Sequence, residues 1–207
     1  MNSATEKFLI NGPQGVVECA RDLPTATALG TAIIAHPHPL FGGTMDNKVV
    51  QTLARACVQC GWAAVRFNFR GVGGSAGAYA EGVGEVDDML AVVEQAAPAG
   101  DLVLAGFSFG SAVASKVYDR VRSQRNVRKL VLVGTAASRF TVATIDPAEH
   151  DKVLVVHGEH DDTVPLAAVM DWARPMNLPV TVVPAGGHFF HGQLPLLKNL
   201  VARHLRA

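Results

Sequence analysis

The chain has 207 residues, and 18 Lys and Arg offset 18 Asp and Glu to a formal net charge of zero. That balance gives no ground for a nucleic-acid or anionic-membrane partner. Hydrophobic residues at 49% and charged residues at 17% exclude a disordered chain, and no apolar run approaches the ~20 residues of a membrane-spanning helix.

The first apolar run, Phe8-Leu9-Ile10, follows Glu6-Lys7 and gives way to Asn11-Gly12-Pro13. A secretory leader needs a longer apolar stretch behind a positive start. The cysteines number 3, which is no disulfide framework. Reduced thiols and a cytoplasmic location are therefore expected.

Phe8–Ile10 and Val16–Ala20 are short, partly β-branched runs around Gly12-Pro13-Gln14-Gly15, the layout of a β-hairpin. Thr31–Ala35 is continuously apolar and predicts a strand buried on both faces. A turn-rich stretch, His36 to Thr44, follows. Asp46 or Asn47 can then cap a helix whose apolar positions are Val49, Val50, Leu53, Cys57 and Cys60, with Gly61 at its end. Ala63–Phe69 reads as a strand, Val86–Ala97 as a helix, Leu102–Ala105 as a strand, and Gly110 to Arg122 as a helix. Strands over Lys129–Val133, Val153–Val156 and Val180–Val183 follow, with helices over Leu166–Met176 and Pro195–Leu205. Regular alternation implies a mostly parallel sheet flanked by helices on both faces. With no repeat or linker, residues 1–207 are expected to form one domain. Gly42-Gly43, Gly71 to Gly77 and Gly186-Gly187 all follow predicted strands, where an open α/β sheet binds its ligands.

The segment Leu102 to Ala112 is an apolar strand, then Gly106-Phe107-Ser108-Phe109-Gly110, then small residues opening a helix. A sharp strand-to-helix turn tolerates no bulk two residues before or after the serine. The two glycines meet that demand, and the turn lifts Ser108 to a helix N-terminus as a candidate nucleophile. The other reading is a tight turn whose serine caps the helix. A serine nucleophile needs a base and an orienting carboxylate, expected in the order Ser, Asp or Glu, His. Past the strand at Val153 come His157, Glu159, His160, Asp161 and Asp162; past the last strand come His188 and His191.

Five ordered motifs carry a resemblance: HPHPLFGGTMDNKVV (His36–Val50), FNFRGVGGSAG (Phe67–Gly77), GFSFGS (Gly106–Ser111), HGEHDDTVP (His157–Pro165) and GGHFFHG (Gly186–Gly192). The chain resembles the α/β-hydrolase superfamily, in its small, lidless, dienelactone-hydrolase-like branch of serine hydrolases. It departs from dienelactone hydrolases proper, whose nucleophile is a cysteine where this chain has Ser108. The resemblance implies an α/β-hydrolase fold with no cap domain. Its strand-end pattern G-x-x-D-x-x-V-P selects Asp161 over Asp162 and Glu159. Its G-H-F-F pattern selects His188 over His191. The oxyanion donors it implies are the backbone N–H of Phe109 and one from the His36–Thr44 turn. Pro37 and Pro39 have no N–H to give, which leaves His38 or Leu40, with His38 favoured by aligning His36-Pro37 on the family's His-Gly pair.

The expected activity is therefore a serine hydrolase acting on a small ester or thioester through an acyl-enzyme, without a cofactor or metal. Leu40, Phe107, Phe189 and His191 are the expected substrate-binding residues. The alternatives are a non-catalytic binding protein of the same fold and a metal-dependent hydrolase using His36, His38, His188, His191 and a carboxylate. Cys57-x-x-Cys60 lies on an apolar helix face and reads as core. Arg70 reads as a loop tie, and Gly71 to Gly77 as a loop of unencumbered backbone beside the site. The segment Gly134 to Asp151 is too short and polar for a lid, so short acyl groups are expected to be preferred.

Overall fold

The apolar runs pair into an eight-stranded sheet of order β1-β2-β4-β3-β5-β6-β7-β8 in the computed structural model, which describes residues 5–207. The strands are β1 (Glu6–Gly12), β2 (Gly15–Asp22), β3 (Gly30–Ala35), β4 (Ala63–Phe67), β5 (Asp101–Phe107), β6 (Val127–Val133), β7 (Val153–Gly158) and β8 (Val180–Val183). The β1–β2 hairpin is antiparallel, as is β2 against β4; β4, β3, β5, β6, β7 and β8 are mutually parallel. The helices are α1 (Lys48–Gln59), α2 (Gly84–Ala96), α3 (Phe109–Val121), α4 (Leu166–Ala173) and α5 (Leu194–Arg206).

Strand periodicity splits the core in two. In β3, Ile33 points to the face covered by α2 and α3, while Ala32 and Ile34 point to the face covered by α1 and α5. Met89 and Val92 of α2 and Val113 and Val117 of α3 pack on the first face. Leu53 and Cys57 of α1 meet Val201 and Leu205 of α5 on the second. Leu53 is fully buried, so its truncation to alanine would cost about 2–5 kcal/mol. Burial also pushes the Cys57 thiol up to about 12.

Local chemistry sets the boundaries. Asn47 caps α1, its Oδ1 accepting from the N–H of Val49 at 2.8 Å and of Val50 at 3.4 Å. The helix beginning at Leu166 tightens to a 3-10 turn over Arg174–Met176, because Pro175 has no N–H to continue the α ladder. β4 ends two residues before the expected Phe69. There the Phe69 N–H turns to the imidazole of His36, at 3.0 Å from Nε2.

β3 and β5 are neighbours, yet β3 leads to α1 on one face and β5 to α3 on the other. Their connections part at the carboxyl edge of the sheet and open a crevice there. Among the described residues no helix is long and apolar enough to cross a membrane.

Candidate active site

β5 runs into Ser108 at φ 56° and ψ −117°, and α3 starts at the next residue. This is left-handed backbone, a strain of about 1–3 kcal/mol for a residue with a Cβ. It is held by close packing on both sides. A Cβ on Gly106 would lie 2.2 Å from the Gly110 carbonyl oxygen, and one on Gly110 would lie 2.5 Å from the carbonyl oxygens of Ala35 and His36. Ser108 makes no side-chain capping bond to α3. Its Oγ lies instead 3.0 Å from His188 Nε2.

His188 Nδ1 lies 2.7 Å from Asp161 Oδ2. With Nδ1–H donating to the carboxylate, Nε2 accepts from the serine hydroxyl. The His188 ring is buried and packs at 4.9 Å from the Phe107 ring and 5.1 Å from the Phe189 ring. Gly134 backs it: a Cβ there would stand 3.3 Å from His188 Cε1. Asp161 Oδ1 accepts from the N–H of Thr163 at 3.0 Å and of Val164 at 2.7 Å. Burial alone would raise the Asp161 pKa, but the His188 and Val164 hydrogen bonds outweigh it and hold the carboxyl below its ordinary value. The rivals go elsewhere. Asp162 reaches only the Thr163 hydroxyl, and Glu159 accepts from the Ala185 N–H at 2.8 Å.

The turn after β3 is built on two imidazoles. His36 is fully buried, donates from Nδ1 to the Pro37 carbonyl at 2.6 Å and accepts at Nε2 from Phe69. Burial pushes its pKa down to about 4, against the opposing pull of the Pro37 carbonyl. His38 stacks among Phe41, Tyr79, Phe109 and Phe140. Its Nδ1 accepts from the Leu40 N–H at 3.2 Å, and its carbonyl accepts from Phe41 and Gly43. Leu40 has thus committed its donor, whereas among the described residues the N–H groups of His38 and Phe109 have no acceptor. Both residues line a cleft of ≈ 400 Å³ together with Ser108 and His188. That arrangement places two free N–H donors, a hydroxyl and a base on one hollow.

Several sequence expectations need correction. Phe107 is fully buried beneath His188 and does not line the cleft. It ends a strand whose side chains alternate, and its turn faces the α1–α5 core. Leu40 is 67% exposed and is not among the residues lining the cleft; in the 3-10 turn Pro39–Phe41 it is Phe41 that lines it. His191 is exposed behind Phe189, past a left-handed Phe190 at φ 51°. Phe189 does line the cleft. The Gly71 to Gly77 loop packs on the hairpin rather than beside the site: Ala76 N–H bonds Val16 O and Gly74 N–H bonds Glu18 Oε2. Arg70 is a tie, its guanidinium on Asp88 and the Gly84 carbonyl. Among the described residues no three His, Cys, Asp or Glu side chains assemble as a metal donor set.

Three contributors were not anticipated. Phe140 and Arg139, from the polar segment after β6, line the cleft; a single aromatic in a polar stretch gave no periodic signal. His157, buried at the end of β7, donates from Nε2 to the Val164 carbonyl at 2.9 Å and lies 3.4 Å from Asp161 Oδ2. Its place two residues before the strand-end turn was the only hint.

A family model for the alpha/beta hydrolase fold matches residues 38–151. An α/β serine hydrolase without a lid from Xanthomonas campestris is 36% identical, covers 100% of this chain and 95% of its own, and superposes with a TM-score of 0.87. An α-β serine hydrolase homologue from Coxiella burnetii is 42% identical with 97% of each chain covered and a TM-score of 0.82. An uncharacterized protein of Rickettsia prowazekii is 41% identical over 118 residues, 55% of this chain; the chain spans 50% of the length of that relative.

Proposed function

The chain belongs to the α/β-hydrolase fold family, in its lidless branch; on that premise we propose that it is a hydrolase and cleaves a small carboxylic ester or thioester through a serine acyl-enzyme. One observation carries the reading: Ser108 Oγ, His188 and Asp161 form a hydrogen-bonded line at 3.0 and 2.7 Å, opening on the cleft. We read residues 1–207 as one domain. Its free thiols at Cys19, Cys57 and Cys60 suit a reducing cytoplasm.

In this reading the substrate carbonyl sits over Ser108 with its oxygen toward the N–H groups of Phe109 and His38. His188 takes the serine proton at Nε2 as Oγ attacks, and Asp161 stabilises the imidazolium that forms. The two N–H donors and the N-terminus of α3 stabilise the oxyanion. His188 then protonates the departing alcohol or thiol. Water, deprotonated by His188, attacks the acyl-serine and releases the acid. His36 takes no proton in this scheme; it holds the turn that aims His38.

A fluorophosphonate probe tests the reading. It should label the protein at Ser108, and Ser108→Ala should lose both labelling and turnover of p-nitrophenyl butyrate. Turnover by the variant, or labelling elsewhere, refutes it. A non-catalytic binding protein of this fold would show neither in the wild type.

A further inference from the structure

The charge in the cleft bears on the substrate. Arg139 is the only charged side chain among the residues lining it; the walls are aromatic, with Phe41, Phe140 and Phe189, and Asn47 and Thr163 add neutral polar groups. The buried arginines are matched to acids, Arg66 to Asp22 and Arg70 to Asp88, whereas Arg55 and Arg125, like Arg139, have no acid partner among the described residues; Arg55 bonds Gln51 and Arg125 the Ala97 carbonyl. Among the described residues the Arg139 guanidinium holds no acid and no hydrogen bond, while its backbone N–H donates to the Ala136 carbonyl. On the same segment Asp146 caps the Ala148 N–H and Glu149 holds Tyr118 and Lys152; Asp151, at its far end, is outside the residues lining the cleft. Glu85, whose charge acts on His38, is buried and accepts from the N–H groups of Ala80 and Gly82. Asp162 lies outside the lining. Among the described residues the guanidinium therefore has no hydrogen-bond or ion-pair partner, and Arg139 stands at the rim between the hollow that holds Ser108 and His188 and a shallower one beside Trp172.

Resting on the ester-hydrolase reading, we propose that the substrate carries a carboxylate and that Arg139 selects it. A guanidinium binds a carboxylate through two parallel N–H···O bonds, which fixes orientation as well as charge. A neutral ester gains nothing from that group. Arg139 is solvent-exposed, so water screens the pair and discrimination should be about fivefold rather than a thousandfold.

The test uses ratios within one protein preparation, so that any folding defect cancels. On the acyl side, kcat/KM is compared for monoethyl glutarate and ethyl valerate. On the leaving-group side, meta-acetoxybenzoate is compared with meta-acetoxybenzamide. The wild type should favour the charged member of one pair about fivefold, less at high salt. Arg139→Gln should bring the ratio to about one, and Arg139→Lys should keep part of it. Calorimetry on Ser108→Ala, with and without Arg139→Gln, reads the same preference as binding of the two valerate-sized esters. A wild type indifferent to charge in both pairs, or a preference that survives Arg139→Gln, overturns the proposal. If no ester is turned over, the hydrolytic reading fails while the calorimetric ratio still decides the role of Arg139.

Discussion

Acid should unfold this protein partly through one histidine. The imidazole of His36 is buried with its Nε2 facing the Phe69 N–H, so a proton on Nε2 would set two donors against each other. Burial lowers its pKa from 6.5 to about 4. In the unfolded chain the imidazole titrates at its ordinary value, so between those two pH values the unfolded state binds more protons. Stability from the neutral imidazole is therefore complete above pH 6.5 and is lost as pH falls toward 4. At 1.36 kcal/mol per pH unit, the whole gap is worth about 3 kcal/mol, of which about 2.5 is gone by pH 4.5. The assay is urea unfolding of the wild type and His36→Gln at pH 7.5, 6, 5 and 4.5. The glutamine carbonyl can accept from Phe69 without titrating. The variant should be weaker at pH 7.5, and the difference between the proteins should shrink by about 2 kcal/mol or more at pH 4.5. His157 and His204, whose pKa values burial also lowers, titrate in both proteins and cancel. A difference constant with pH would refute the argument.

Asp161→Asn should reduce kcat by on the order of 10⁴, by presenting the wrong partner to His188, whereas Asp162→Asn should change it little; steady-state kinetics on p-nitrophenyl butyrate checks the ranking. Gly134→Ala forces a Cβ at φ 55° to within 3.1 Å of Phe107 Cε2 and 3.3 Å of His188 Cε1. It should destabilise by about 1–3 kcal/mol and lower kcat more than KM, and equal wild-type kinetics would show that the ring is not held from this side. The cleft of ≈ 400 Å³ rests on Phe41, Phe140 and Phe189 without a cap, so kcat/KM for p-nitrophenyl esters should peak between acetate and butyrate. Faster turnover of laurate would reveal an acyl channel, since each enclosed methylene is worth about 0.8 kcal/mol.

The fold was legible because the parallel strands are dominated by apolar residues, with exceptions such as Arg66 in β4 and Thr181 in β8, and the connecting helices carry apolar stripes. Ser108 stood out for a different reason, the glycines that flank its turn, while Asp161 and His188 were singled out from Asp162, Glu159 and His191 only by the family's strand-end patterns; the structure brings the three side chains together. The cleft walls were not legible. Whether Phe107 or Phe41 faces substrate depends on strand phase and on a 3-10 turn, and neither leaves a periodic trace in so few residues. Phe140 and Arg139 sit in a segment without regular structure, where composition alone suggested only polarity. His157 escaped because its partner, the Asp161 carboxylate, is reached around the turn rather than along the strand.

The turns after β7 and β8 are laced together. A Cβ on Gly158 would come within 2.3 Å of the Gly186 carbonyl oxygen, and Glu159 and His160 donate N–H bonds to Val183 and Gly186 at 3.0 and 2.8 Å. Asp161 and His188 therefore belong to one rigid module, encoded within the last third of the sequence, while Ser108 arrives from a separate one. The separation of the Asp161 carboxylate and the His188 imidazole is set within that module and does not depend on what stands at position 108. Another hydroxyl or thiol in place of Ser108 would meet an Asp161–His188 pair already assembled, whereas a side chain at Gly158 would displace both partners at once.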